Sequence, residues 1–153
     1  DIKHEKNYYT FEITGEVYDV SAGESNKDYS LELTYTILPG VLVQEKVEEA
    51  MMDSDYDSIE LVRTPLQKGN TWTQVVTDHE GNNTTLNCEI TDIKDENGLN
   101  IYTIEYKDMN SEYYEIRRIK EAVGVLSFTK LFITDTDSFE IGYNIYYSLT
   151  GYK

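Results

Sequence analysis

The run Asp53-Ser54-Asp55-Tyr56-Asp57 sets three carboxylates at alternate positions, the opening of a calcium-binding loop. Hard cations need several oxygen ligands, and an EF-hand completes them with Gly at its sixth position and Glu at its twelfth. Those positions hold Ser58 and Thr64 here, so the EF-hand is excluded. What remains is a carboxylate cluster (Asp53, Asp55 and Asp57) set against the simpler reading of a solvated turn. Asp92 with Asp95 and Glu96, and Asp135 and Asp137 with Glu140, make clusters of the same kind. Loops converging at one end of a barrel would be needed to join them into a cation site, and no cofactor is indicated.

General acid–base chemistry near neutral pH usually recruits histidine, and the chain has only His4 and His79. The first lies in an N-terminal segment expected to fray, the second in a hairpin turn. Cys88, the single cysteine, shares a strand face with Leu86 and Ile90, which reads as a small buried hydrophobe. An activated thiolate would want a neighbouring histidine, and neither is close in sequence. No G-x-S-x-G, H-E-x-x-H or C-x-x-C spacing occurs, nor a glycine-rich phosphate loop. Abundance of acids is no signal for a paired-carboxylate hydrolase. The expectation is a protein that is not an enzyme.

Tyrosine is the remaining chemistry-bearing residue, with fourteen copies and pairs at Tyr8-Tyr9, Tyr113-Tyr114 and Tyr146-Tyr147. Neighbours on a strand point to opposite faces, so one member of each pair can be core and the other outward. The alternation places Tyr9, Tyr143 and Tyr147 inside and Tyr8 and Tyr146 outside. Outward tyrosines offer area and a hydroxyl at low entropy cost. Tyr8 and Tyr146 are therefore the candidate ligand surface, weighed against plain cross-strand stabilisation of the outer face. Asn82-Asn83-Thr84-Thr85 carries two overlapping glycosylation sequons, read here as turn residues.

Strands must position these groups. Tyr9, Phe11, Ile13, Gly15 and Val17 alternate with polar residues, as do Tyr29, Leu31, Leu33, Tyr35 and Ile37. Period 2 is what a half-buried antiparallel strand requires. A turn at Pro39-Gly40 leads to Val41–Val47, while the piece from Lys46 to Met52 fits strand or a short helix. Ile59–Arg63 is a short strand. A meander follows: Trp72–Asp78, Thr84–Lys94, Leu99–Lys107, Glu112–Ala122, Val125–Ile133 and Phe139–Leu149. Its turn at Asn97-Gly98 is the strongest short-range hairpin signal. Roughly ten strands at a spacing of about 8–14 residues predict one all-β domain over residues 1–153. The expected architecture is an antiparallel meander, as a curved sheet or partly open barrel, with a β-sandwich as the alternative.

The sharpest local pattern is Thr64-Pro65-Leu66-Gln67-Lys68-Gly69-Asn70-Thr71-Trp72-Thr73. Pro65 cannot donate to a ladder, Gly69 can take positive φ, and Trp72 opens an alternating run, so a strand ends, turns and restarts on a core anchor. This stretch resembles the P-L-x-x-G-x-x-W motif of uncharacterised bacterial, Gram-positive-type cell-envelope lipoproteins and secreted β-domains. The likeness extends over Ile59 to Ser148, more loosely at Phe139-Glu140-Ile141-Gly142-Tyr143. It implies an exported, surface-tethered domain and no particular activity. The lipobox cysteine of such proteins is missing here, as a trimmed product would explain.

Composition sets the remaining bounds. The chain has 153 residues and a net charge of −16, from 29 acidic and 13 basic residues. That field opposes phosphate backbones and anionic lipid, so nucleic acid is not an expected partner. No run approaches the ~20 apolar residues of a spanning helix, and no signal peptide is visible at the start. The chain starts at Asp1 and not Met, so a removed targeting segment is expected. The resulting expectation is an extracellular or cell-surface module, lipid-anchored in its precursor. Its partner would be a protein, a glycan or a small apolar ligand. The alternative is a carrier holding an apolar small molecule or lipid within a barrel or half-barrel, lined by residues such as Phe11, Leu33, Ile104 and Phe128.

Overall fold

A computed structural model describes residues 7–17, 27–46, 54–78, 80–136 and 139–148. Among them are ten strands and no helix. They are β1 (Asn7–Val17), β2 (Lys27–Leu38), β3 (Val41–Lys46), β4 (Ser58–Arg63) and β5 (Thr71–Thr77), then β6 (Asn83–Glu96), β7 (Leu99–Asp108), β8 (Tyr114–Lys120), β9 (Gly124–Thr136) and β10 (Phe139–Ser148). The alternating segments named above all become strands. The stretch from Val47 to Asp53, with its strand-or-helix ambiguity, lies outside the described residues.

The strands form two antiparallel sheets in which every neighbour in space is a neighbour in sequence, β1-β2-β3-β4 and β5-β6-β7-β8-β9-β10. Asn97 and Gly98 both take positive φ at the β6–β7 turn, as a type I′ hairpin demands. The Pro65–Gly69 corner carries the chain from one sheet to the other. Gly69, with φ +82°, donates its N–H to the Ile90 carbonyl at 2.8 Å, and Ile90 N–H returns to Asn70 O at 2.9 Å. Trp72 then enters the core, 7% exposed and edge-on to Tyr106 at 6.4 Å.

Between β4 and β5 the main-chain ladder gives way to side chains. A bridge joins Tyr56 to Asp78, and Asp57 N–H reaches Thr77 O at 3.0 Å. Further along, the Gln74 amide does what a peptide group would do. Its Oε1 accepts from Glu60 N–H at 2.7 Å and its Nε2 donates to Glu60 O at 3.0 Å. Asn70 Nδ2 donates to Arg63 O at 2.8 Å. This seam satisfies edge groups that a ladder would otherwise pair.

No ladder joins β1 to β10 among the described residues, so the sheets stay open. The expected all-β antiparallel meander is there, as open sheets and not as a closed barrel. A single core nevertheless spans both sheets. Leu33 and Tyr35 of β2 and Ile59 and Leu61 of β4 pack with Leu86, Cys88, Ile90, Ile104 and Tyr106. Leu33, Ile104 and Phe128, named as carrier lining, are at most 1% exposed and fill this interior. Side-chain burial of Phe11 lies outside the described residues.

Candidate functional site

Two places concentrate chemistry, and access separates them. The first is a buried charged cluster between the sheets. Arg117 pairs with Glu115 on the same strand, and its guanidinium lies 4.7 Å from the Phe128 ring centre and 5.1 Å from that of Tyr106. Glu115 also accepts from Ser54 Oγ at 2.6 Å and from the Tyr113 hydroxyl at 2.7 Å. Burial works against the Glu115 carboxylate, yet the Arg117 charge and these hydrogen bonds hold it below the usual carboxylate range. Lys130, 2% exposed, bonds Asp55 at 2.6 Å. Charges from β8 and β9 thus hold the 54–57 loop of the other sheet. With Glu115 and Arg117 at 0% and 1% exposure, no substrate can reach them, and the cluster is a clasp.

That clasp also decides the acidic loop. Asp55 is committed to Lys130, while Asp57 is exposed with Lys46 Nζ at 3.9 Å. Asp53 lies outside the described residues. No group of three or more His, Cys, Asp or Glu suited to a metal ion occurs among the described residues. His4 and His79 also fall outside them. Cys88 is fully buried, and desolvation pushes its thiol up to about 11, with Gln74 Nε2 at 3.3 Å.

The second place is open: a groove of about 460 Å³ where the two sheets face each other. Tyr9, Tyr35, Ile37, Leu42 and Val62 line it from β1–β4, and Leu66 from the Pro65 corner. The opposite wall is Tyr102, Ile119, Val125 and the turn 120–124. Its volume lies within the ~300–1,000 Å³ of small-molecule sites. A larger hollow of about 790 Å³ follows the seam past Glu60, Arg63 and Gln74. That one has a mixed lining, with Asp57, Glu60, Arg63 and Gln74 beside Val43 and Val76, so the apolar groove is the stronger candidate.

Two β-bulges shape the groove. Leu42 pairs with Val62 and Ile119 with Val125, and at each pair the register slips. The extra residues are Leu61 on β4 and Leu126 on β9. A bulge bends its strand and re-aims side chains. After Leu61, which is fully buried, Val62 also faces inward and packs against the core. Both pairs at the slips line the groove.

One end of the groove is polar. Glu121 accepts from Asn100 N–H at 2.9 Å, Asn100 Nδ2 at 3.1 Å and the Tyr102 hydroxyl at 2.6 Å. The Asn100 N–H, then Tyr102 and the Asn100 amide, hold its carboxyl below the ordinary value. Burial, with Glu121 opposite, pushes the Tyr102 phenol up, so it stays a donor. Lys120 Nζ meets Glu96 at 2.6 Å. Ala122, next in the turn, has φ +59°, a left-handed conformation that costs a side-chain-bearing residue ~1–2 kcal/mol. Such strain tends to collect at ligand sites.

Of the residues singled out in the sequence, Tyr8 and Tyr146 are 66% and 59% exposed, on β1 and β10. They sit on edge strands of different sheets. Tyr9, expected inside, is 52% exposed and belongs to the groove rim. Tyr143 and Tyr147 have no described side-chain burial. Val62, Ile119 and Glu121 carry no signature in the sequence; only the alternation around Ile119 and Tyr102 hinted at burial. No protein-family model matches the chain, and neither does any curated protein or any solved structure.

Proposed function

We propose that this domain is a non-enzymatic binding module that takes an apolar small molecule into the inter-sheet groove. The observation that carries the reading is a preformed cavity of about 460 Å³, walled by aliphatic and tyrosine side chains from both sheets. Its described lining has no Ser, Cys or His to serve as a nucleophile–base pair. The carrier reading, framed for a barrel or half-barrel interior, is thereby placed by this proposal in the open groove. A cell-envelope setting, with the domain tethered outside a bacterial cell, is part of the proposal and is supported by the Pro65-Leu66-Gly69-Trp72 corner. A second reading, contact with a protein or glycan, is favoured by the exposure of Tyr8 and Tyr146.

Titration with a neutral apolar fluorophore such as N-phenyl-1-naphthylamine tests the groove. Saturable one-to-one binding is expected, with affinity lost in Val123→Trp, which fills the cavity, and kept in Tyr8→Ser. Binding that survives the filled groove would move the site elsewhere. Absence of saturable binding would overturn the reading.

A further inference from the structure

We propose that the groove selects a cationic amphiphile, an apolar body ending in an ammonium-type head, over an anionic one. The inference rests on the groove being the binding site and adds the charge of its ligand.

Charge at the polar end of the groove is unbalanced. Glu121 is ionised, and among the described residues its partners are all neutral donors: Asn100 N–H, the Asn100 amide and the Tyr102 hydroxyl. Among the described lining residues the one cation, Lys120, is engaged by Glu96 at 2.6 Å, and its side chain is 7% exposed. An incoming carboxylate or phosphate would have to compete with Glu96 for that ammonium while facing Glu121. An incoming ammonium meets a carboxylate that has hydrogen bonds but no counter-charge.

Aromatic lining points the same way. Tyr9, Tyr35 and Tyr102 line the one groove, and a cation near a tyrosine face is attracted by the ring quadrupole. Aliphatic residues of the wall, among them Leu42, Val62 and Ile119, suit the apolar body. At longer range, a chain with net charge −16 concentrates cations and repels anions during encounter. The same field argues against a second copy of this chain as the occupant.

Three probes with one decyl tail separate the ideas: decyltrimethylammonium, decanoate and decyl maltoside, each below its micelle concentration, followed by calorimetry and NMR shifts at Val62, Ile119 and Val125. The cation should bind at least about tenfold more tightly than the carboxylate at low salt, the gap narrowing as salt screens it. Glu121→Gln should erase the preference and leave the maltoside unchanged. Should that variant fail to fold, the salt series on the unaltered protein still decides. Equal binding of all three would overturn the charge selection and keep the apolar groove. Tighter decanoate binding would reverse the inference, and no binding by any probe would remove the groove reading as well.

Discussion

Arg117 shows how much one residue can hold in place. Its guanidinium pairs with Glu115 and lies near the Tyr106 and Phe128 rings, with almost no exposure. Removing one partner of a buried ion pair strands the other charge, at a cost of ~3–5 kcal/mol. Arg117→Met is therefore expected to lower unfolding free energy by about that amount in urea denaturation. The double variant Glu115→Leu with Arg117→Met should recover much of the loss, because an apolar pair removes both desolvation costs. If the double variant were as unstable as the sum of the two singles, the pair would not be acting as a unit. In the sequence, Arg117, Arg118 and Lys120 are three basic residues within four positions, with nothing to say which of them is buried. Arg117 and Lys120 are in fact buried, because a strand pattern cannot reveal that a partner such as Glu115 or Glu96 awaits the charge.

Among elements, the tight turn Pro39-Gly40 between β2 and β3 meets the corner that starts at Thr64. Gly40 has φ +78°, its carbonyl accepts from Thr64 N–H at 2.9 Å, and a Cβ there would sit 2.7 Å from Thr64 Oγ1. Gly40→Ala therefore meets both backbone strain of ~1–2 kcal/mol and a steric contact. A lowered melting temperature is expected, partly restored by adding Thr64→Ala, which removes the blocking Oγ1; an unchanged melt would show the turn to be free to shift. Strand identity was legible throughout, since Leu33, Tyr35, Leu86, Cys88 and Ile90 alternate as a one-sided sheet requires. Asn97-Gly98 announced its own turn. Two-sheet division was not legible, because it depends on Gln74 and Asn70 replacing a ladder with side chains. The groove was not legible either. One extra residue at Leu61 and one at Leu126 re-aim Val62 and the Ile119–Val125 pair without disturbing composition or hydrophobicity.

For the whole molecule, buried titratable groups set the pH range of stability. Burial, first of all, raises the phenols of Tyr56, Tyr106 and Tyr113 above the ordinary value of 10.0, with nearby Glu115 adding to the rise in each. A raised folded-state value gives stability that is complete below pH 10 and is lost as pH climbs beyond it. Glu115 works in the opposite sense: its value lies below 4.5, so its contribution is present above that pH and fades as pH falls. Urea titrations should show a plateau bounded by these two limbs. On the alkaline side, some tyrosinate absorbance should emerge only together with unfolding; smooth ionisation of all fourteen tyrosines in the folded state would contradict their burial. The order of the strands has a further consequence, for the birth of the chain. Every ladder among the described residues joins a strand to its immediate successor, so no ladder there waits for a distant segment to be made. As the polypeptide leaves the ribosome, each new strand after the first of its sheet finds its template already present. Assembly can thus keep pace with synthesis, one strand at a time within each sheet.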